Sequence, residues 1–259
     1  MITPLIAIYT GVWILLSGIL FVIPVVGLGA DVASYYSNAI QILATIVSTI
    51  FCIRAMKAFE RGDPLRTVWG LIGIGVLSWG IGQMLYTGYI ILHNGEETPY
   101  PWFSDIGFLM IQPLIIIGLG IFMKAMAVRP PIWGIISAIV VLLLSMFFAF
   151  NAIQGNLDAA ETSIEYLTYV CYMIFDPILL AMTILTASLL PGGLLTRPWW
   201  FCFGGLIFYY LSNRVYDLQN AQNLYSSGSW VDLGWPFSFT LIGVAAILAY
   251  DMVNPGEHS

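Results

Sequence analysis

The sequence predicts an all-α fold: a polytopic membrane helical bundle of about eight transmembrane helices. The chain of 259 residues is 59% hydrophobic and only 8% charged, whereas soluble domains carry roughly 25% charged residues. Mostly uncharged stretches of about 20 or more residues recur along it, and each is long enough to cross a hydrocarbon core of roughly 30 Å. We expect one transmembrane bundle over residues 1–253 and a short cytoplasmic tail over residues 254–259.

Prolines, turn residues and charges separate the apolar stretches. A proline is tolerated in the first turn of a helix, where its missing N–H would have no helical partner. Prolines mark several span starts, among them Pro64 and Pro198. The start of the chain lacks the basic segment of a signal peptide, so we expect the first span to be retained. The predicted spans are residues 4–28, 33–58, 66–92, 104–127, 131–152, 164–190, 198–221 and 233–253.

The basic residues predict the orientation of the chain. Seven of the eight Lys and Arg residues flank three short gaps between spans, near residues 59–65, 128–131 and 191–197. Short cytoplasmic loops carry an excess of Lys and Arg. We therefore predict a multi-pass protein of the plasma membrane with these gaps and both termini in the cytoplasm. The remaining loops are acidic and rich in turn residues, and we expect them to face outward.

Motifs that would indicate an enzyme or a cofactor are missing from the sequence. It contains no GxSxG, HExxH or P-loop motif, so we expect no catalytic activity. The three cysteines lie far apart in apolar stretches, and no spaced pair of intramembrane histidines could hold a haem. The seventh span has no lysine for a retinal Schiff base. We predict no metal, no other cofactor and, given the net charge of −6, no nucleic-acid partner.

Polar residues inside the spans are the main indication of function. Given the direction of each span, nearly all of them fall in the outer halves. A charge at a helix centre costs about 2.5–3.5 kcal/mol on insertion scales, so such groups should face the bundle interior or a wet cavity. We predict an outward-facing polar cavity. Its candidate ligand-binding or switch residues are Asp105, Gln112, Tyr172, Asp176, Arg214, Asp217 and Asp232.

The charged residues of spans six and seven allow two interpretations. Arg214 and Asp217 lie three residues apart on one helix, so they share a face and can pair. Arg214 either completes a structural ion pair with Asp217 or Asp176, or it takes part in binding or switching. Asp176 precedes Pro177, which frees a carbonyl one turn earlier and can kink the helix beside the charge.

The other candidates also have structural alternatives. Asp105 and Asp232 lie at helix starts, where a carboxylate can cap free N–H groups and suits the helix dipole. Gln112 can form an interhelical hydrogen bond. Tyr172 can pack against its neighbours and make a single hydroxyl bond.

Two span starts resemble each other. The segment WFSDIG at residues 102–107 opens span four, and WVDLG at residues 230–234 opens span eight. Both place a Trp, an Asp and a Gly, in this order, at an outer helix start. The echo indicates either four tandem helical hairpins or two four-span halves, since repeats are common in membrane bundles.

Three segments resemble the pattern of a known family. Residues 99–114, PYPWFSDIGFLMIQPL, are similar to a "PyPs-aD-xxyL-xxyPL" segment of multi-pass sensory domains. These domains precede GGDEF/EAL cyclic-di-GMP enzymes and some histidine kinases in bacteria. Residues 172–180, YMIFDPILL, resemble the "YPlgDllLL" helix of that family, and residues 214–235 resemble its last hairpin.

The resemblance covers about residues 99–250 and implies a prokaryotic membrane sensor. Arg214 stands where the family usually shows a small residue, and the sequence ends soon after span eight, where the family attaches its output domain. We therefore expect a receptor-like module without that domain, in a lipid bilayer. It would bind a small ligand or lipid, shift its helix packing and signal through a protein partner or a homo-oligomer.

Two other functions remain open at this point. One is a small-solute or proton-coupled transporter with Asp176 as the protonatable group near the midplane. The other is a non-catalytic subunit that scaffolds a larger membrane complex. A polar cavity closed on the inner side favours the sensor, a continuous polar path through the inner half favours the transporter, and a large apolar belt matched to another chain favours the subunit.

Cysteines introduced at Gly62 and at Asn156 should be labelled from opposite sides of the membrane, because one position lies in a basic gap and the other in an acidic loop. The measurement is labelling of intact and permeabilised cells with a membrane-impermeant thiol reagent. Position 156 should react in intact cells and position 62 only after permeabilisation. Labelling of both positions in intact cells would contradict the eight-span topology.

Overall fold

A computed structural model describes residues 4–96, 98–190, 192, 196–222 and 224–255. These residues form an all-α bundle of eight helices without any strand, which confirms the predicted fold class. A short 3-10 helix, Trp230–Leu233, leads into the last helix. The helices are α1 (Pro4–Val25), α2 (Ala30–Ala58), α3 (Pro64–Leu92), α4 (Phe103–Met126), α5 (Ile132–Ala159), α6 (Ser163–Ala187), α7 (Arg197–Ala221) and α8 (Gly234–Val253).

The predicted spans match the helices, with one clear difference. The fifth helix continues to Ala159, whereas the apolar pattern predicted an end at residue 152. No proline interrupts residues 153–159, so the helical hydrogen bonds continue into polar sequence beyond the apolar stretch. Of the predicted tail, residues 254 and 255 follow α8, and residues 256–259 lie outside the described residues.

Helix starts follow the local sequence. The Asp63 side chain accepts a hydrogen bond of 2.8 Å from the backbone N–H of Leu65, and Pro64 occupies the first turn of α3. The Thr162 hydroxyl accepts from the N–H of Glu165 at the start of α6. These caps satisfy N–H groups that have no partner within the helix.

In the described part of the chain, seven helices are long and apolar enough to cross a membrane, the last of them together with the 3-10 helix before it. The exception is α7, which has 25 residues but carries Asn213, Arg214 and Asp217. Large apolar side chains on α1 and α5, such as Ile14 and Leu143, point away from the bundle. The seven apolar helices are compatible with a multi-pass integral membrane protein in a lipid bilayer.

Six helices form a closed ring in the order α2, α3, α4, α6, α7 and α8. Outside the ring, α1 packs on α2 and α8, and α5 packs on α6 and α7. The contact of α2 with α3 corresponds to that of α6 with α7. The contact of α3 with α4 corresponds to that of α7 with α8. The contact of α2 with α8 recurs as that of α6 with α4. Of the two arrangements that the sequence echo left open, this pattern favours two four-helix halves.

The end of the bundle that carries the basic loops is called here the inner end, and the opposite end the outer end. Aromatic rings fill the inner half of the ring of helices. The Trp69 and Trp199 rings stack with centroids 5.4 Å apart, and Phe122 lies 3.9 Å from Trp199. All three side chains are buried. The inner half therefore contains a cluster of packed aromatic rings.

Glycines bring α3 and α4 together near the outer end. A Cβ atom added at Gly107 would lie 2.6 Å from the backbone nitrogen of Gly82 and 2.6 Å from the carbonyl oxygen of Ser78. Real Cβ atoms do not approach backbone atoms this closely. Gly107 is thus required by the close contact of the two helices, and small residues have this role in many membrane bundles.

The substitution Gly107→Ala should lower the stability of the purified protein by about 1–3 kcal/mol, because the added methyl group must push the two backbones apart. The matched control is Gly120→Ala on the same helix, where an added Cβ would meet no atom within 4 Å. The control should unfold at the wild-type temperature or slightly above it. Thermal unfolding in detergent measures both variants, and equal melting temperatures would contradict the role of Gly107.

Candidate functional site

The carboxylate of Asp176 lies at the centre of a hydrogen-bonded network in the outer half of the bundle. It accepts hydrogen bonds from Gln112 Nε2 at 2.9 Å and from Asn213 Nδ2 at 3.0 and 3.2 Å. A third side chain, Arg214, donates through Nη2 at 2.6 Å. Asp176 is only 1% exposed. Its charge is therefore balanced by donors from α4 and α7 and not by water.

The Arg214 guanidinium is shared between two carboxylates. Its Nη2 atom lies 2.6 Å from Asp176 Oδ2 and 2.8 Å from Asp217 Oδ2. The Arg214 side chain is 11% exposed and that of Asp217 is 21% exposed. The guanidinium carbon also lies 5.6 Å from the centre of the Tyr210 ring. The Nε and Nη1 atoms of Arg214 are buried and have no hydrogen-bond partner among the described residues.

Two further contacts extend this network to α8 and within α7. Trp235 Nε1 donates to Asn213 Oδ1 at 2.8 Å, and Gln112 Nε2 also donates to the Tyr209 hydroxyl oxygen at 3.3 Å. We name the connected set the Asp176 network; it consists of Gln112, Asp176, Tyr209, Asn213, Arg214, Asp217 and Trp235. It joins side chains of α4, α6, α7 and α8, so four of the six ring helices meet in it.

Asp105 makes its contacts at the start of α4. Its carboxylate accepts a hydrogen bond of 2.8 Å from the backbone N–H of Trp102, which is the geometry of the capping alternative. Its second oxygen accepts a bond of 3.0 Å from the Tyr172 hydroxyl on α6. Asp105 and Tyr172 thus hold the outer ends of α4 and α6 together.

Asp232 lies in the 3-10 helix before α8 and is fully buried. It accepts hydrogen bonds from the Ser37 hydroxyl at 2.8 Å, the Tyr225 hydroxyl at 2.8 Å and the Gly228 N–H at 2.7 Å. Burial and the nearby carboxylate of Asp232 raise the pKa of Tyr225 well above its usual range, so the hydroxyl stays protonated and donates. Asp232 joins the turn before α8 to α2, as Asp105 joins α4 to α6.

The sequence-predicted site residues thus fall into three groups. Four of them, Gln112, Asp176, Arg214 and Asp217, belong to the Asp176 network. The other three lie in the two contacts at the helix starts, Asp105 with Tyr172, and Asp232 by itself.

Sequence reasoning did not select Tyr209, Asn213 and Trp235. A signal for the first two was present, because residues 209, 213 and 217 are spaced by four and share one face of α7. The position of Trp235 opposite Asn213 had no such signal, because it depends on how α7 packs on α8.

Tyr100 lies at the outer end of the bundle. It lies in the connection between α3 and α4, and its ring centre is 4.6 Å from that of Tyr169. Burial raises the pKa of Tyr100, and the nearby carboxylates of Asp105 and Asp217 raise it further, so its hydroxyl stays protonated. The Tyr100 side chain is still partly exposed.

In the first half of the bundle, α1 to α4, uncharged amide side chains lie at the positions that correspond to the network. Gln83 Nε2 on α3 donates to Asn38 Oδ1 on α2 at 2.9 Å, and Gln41 Nε2 donates to the Ser37 hydroxyl at 3.0 Å. The bond between Gln83 and Asn38 joins α2 to α3, as charged groups join α6 to α7 in the second half, whereas the bond between Gln41 and Ser37 lies within α2. Among the described residues, the ion pairs belong to the second half alone.

One cavity of the described chain is an apolar groove that lies away from the network. It has a volume of about 200 Å³ and lies between α5 and α6. Its lining residues are Ala138, Ile139, Leu142, Ile178, Ala181, Met182 and Leu185. In the part of the chain that the structure describes, no group of three His, Cys, Asp or Glu side chains has the geometry of a metal site.

Comparisons of the chain with known protein families, with curated proteins and with solved structures find no match. The resemblance to bacterial multi-pass sensory domains therefore stays a prediction.

The substitution Arg214→Leu should destabilise the protein more than the double substitution Arg214→Leu with Asp217→Leu. The single variant leaves two buried carboxylates without a cation, and breaking a buried pair costs about 3–5 kcal/mol. The double variant restores the net charge of the wild-type cluster and replaces a pair by apolar side chains, which is often tolerated. Thermal unfolding in detergent measures this order.

A suitable control is Arg129→Leu, which removes an exposed guanidinium from an inner loop and should change stability by no more than about 0.5 kcal/mol. If the double variant were as unstable as Arg214→Leu, the ion pair would not be the origin of the loss.

Proposed function

We propose that the chain is a receptor-like integral membrane sensor whose Asp176 network responds to a small polar ligand from the outer side. The observation that carries this proposal is the buried guanidinium of Arg214, which keeps two donor nitrogens without a partner among the described residues. Buried polar groups are almost always hydrogen-bonded, to protein, water or ligand. An acceptor that enters the network would satisfy these donors and change the balance of the two ion pairs.

The connections of the network support transmission to the inner end. Gln112 and Asp176 are each followed by a proline within the helix, Pro113 in α4 and Pro177 in α6. A proline removes one helical hydrogen bond and is the commonest site at which a helix bends. A change in the contacts of Asp176 would therefore act on two helices where they bend most easily, and so move their inner ends.

The packing of the inner half favours a sensor over a transporter. The rings of Trp69, Phe122 and Trp199 pack against one another in the inner half, and this packing supports a bundle that is closed on the inner side. Asp176 is also held by three donor side chains, whereas a transporter would need this carboxylate to release its partners in each cycle. Both observations support a binding event that changes helix packing.

The proposed orientation places the basic loops and both termini in the cytoplasm of a prokaryotic cell, at the plasma membrane. A protein partner, or a second copy of the chain, would read the positions of the inner helix ends there. The resemblance of residues 99–250 to bacterial sensory domains supports this assignment. The exposed apolar side chains of α1 and α5 would face lipid or that partner.

Spin labels on the inner loops test the proposal without knowledge of the ligand. Cysteines replace the exposed residues Glu60 and Arg129, and Cys171→Ser removes the one cysteine of the chain that is not buried. The distance distribution between the two labels is measured with and without Arg214→Leu plus Asp217→Leu. A sensor should shift or broaden this distribution when the network is broken.

The control is Asp158→Asn, which removes an exposed outer charge that has no hydrogen bond or ion pair to the network. It should leave the label distances unchanged. An unchanged distribution in the double variant as well would mean that the ion pairs serve only the local structure, and the sensor proposal would fail.

A further inference from the structure

The charges of the network do not balance. Asp176 and Asp217 face a single guanidinium, that of Arg214. With all three groups ionised, the cluster carries a net charge of −1 inside an apolar bundle. A buried charge is costly unless it is paired. The ligand that this cluster favours is therefore a cation, even though an arginine lies at its centre.

The charged residues around the network also favour a cation. By position along the chain, nine of the fourteen acidic residues lie outward of the helix midpoints, against one of the eight basic residues. Clefts lined by one sign of charge raise the local concentration of the opposite ion. A cation that approaches the outer end is attracted, and an anion is repelled.

Unsatisfied polar atoms define a second requirement. Gln112 is fully buried, and its Oε1 atom has no partner among the described residues, although its Nε2 atom holds Asp176. The Nε and Nη1 donors of Arg214 are also buried and have no partner among the described residues. A matching ligand needs a donor for the amide oxygen and an acceptor for the guanidinium. The acceptor must be neutral, because an anionic one would cancel the charge that the site requires.

We infer that the Asp176 network binds a small protonated amine that also carries a neutral oxygen acceptor. Asp217 is the more exposed of the two carboxylates and is the group that the ammonium would meet first. The partly exposed ring of Tyr100 lies at the outer end of the bundle, within the electrostatic influence of Asp217, and aromatic faces attract ammonium ions. The neutral oxygen would accept from the free N–H groups of Arg214. This inference rests on the proposed function and names the ligand class of the same site.

An amine beside an oxygen occurs both in free amino alcohols and in the ethanolamine headgroup of lipids. The chemistry at Asp217 and Arg214 is the same in both cases. A free ligand would arrive from the water phase and a headgroup from the outer leaflet. These two sources are separated by the experiment and not by the site.

Thermal unfolding of the full chain in detergent, at matched ionic strength, tests the inference with four small probes. Ethanolamine supplies both groups, ethylamine only the cation, ethylene glycol only the oxygens, and acetate the wrong charge. Ethanolamine should raise the melting temperature most, by about 5 °C near saturation. Ethylamine should give a smaller rise, and ethylene glycol and acetate none. A parallel series in nanodiscs with and without phosphatidylethanolamine shows whether a lipid headgroup supplies the amine.

Two variants make the test specific. Asp217→Asn should abolish the response to ethanolamine, and Tyr100→Leu, which leaves the ion pairs intact, should weaken it at least about threefold in half-saturating concentration. Asp158→Asn should respond like the wild type. If Asp217→Asn does not fold, the response of Tyr100→Leu decides, because its fold does not depend on the ion pairs.

The outcomes separate this inference from the proposed function. Stabilisation by acetate, or equal stabilisation by ethylene glycol and ethanolamine, would overturn the amine assignment. So would a series in which neither ethanolamine nor phosphatidylethanolamine stabilises the wild type. In each of these cases a shift of the inner-loop label distances in the double variant would still support a sensor with another ligand.

Discussion

Arg214 lies between Asp176 and Asp217 in a largely apolar bundle, and the loss of its guanidinium would leave two carboxylates without a cation. The rest of the architecture follows from this constraint. Gln112 and Asn213 donate hydrogen bonds to Asp176, and Trp235 donates to Asn213. These contacts join α4, α6, α7 and α8. Buried pairs give little net stability compared with apolar packing, so the ion pairs are not the main source of the stability of the bundle.

The two halves of the bundle use one plan with different chemistry. At the outer ends, Asp105 reaches the hydroxyl of Tyr172, and Asp232 reaches that of Ser37, so each carboxylate joins the start of one helix to the neighbouring ring helix. Closer to the middle of the bundle, neutral amides join the helices of the first half, whereas ion pairs join those of the second half. A duplicated scaffold can in this way keep one half as a rigid support while the other half acquires a charged site.

The charged network and the aromatic cluster lie at different depths in the bundle. The network lies in the outer half, and Asp217 is more exposed than Asp176. The inner half is closed by the rings of Trp69, Phe122 and Trp199. The prolines after Gln112 and Asp176 lie at the level of the network, where α4 and α6 can bend. In the proposed sensor, a signal would pass inward as a movement of these helices.

The sequence by itself determined the all-α membrane fold, the helix order and the depth of the polar residues, because span length, basic loops and uncharged stretches are local properties of the chain. It also indicated that Arg214 and Asp217 share a helix face, since their spacing of three sets that. Only the tertiary structure decided that Asp176 is the common acceptor, that Asn213 and Trp235 join it, and that Asp105 and Asp232 lie in separate contacts. Those pairings depend on which helices become neighbours in the ring, and the order α2, α3, α4, α6, α7, α8 is set by side-chain packing between distant segments.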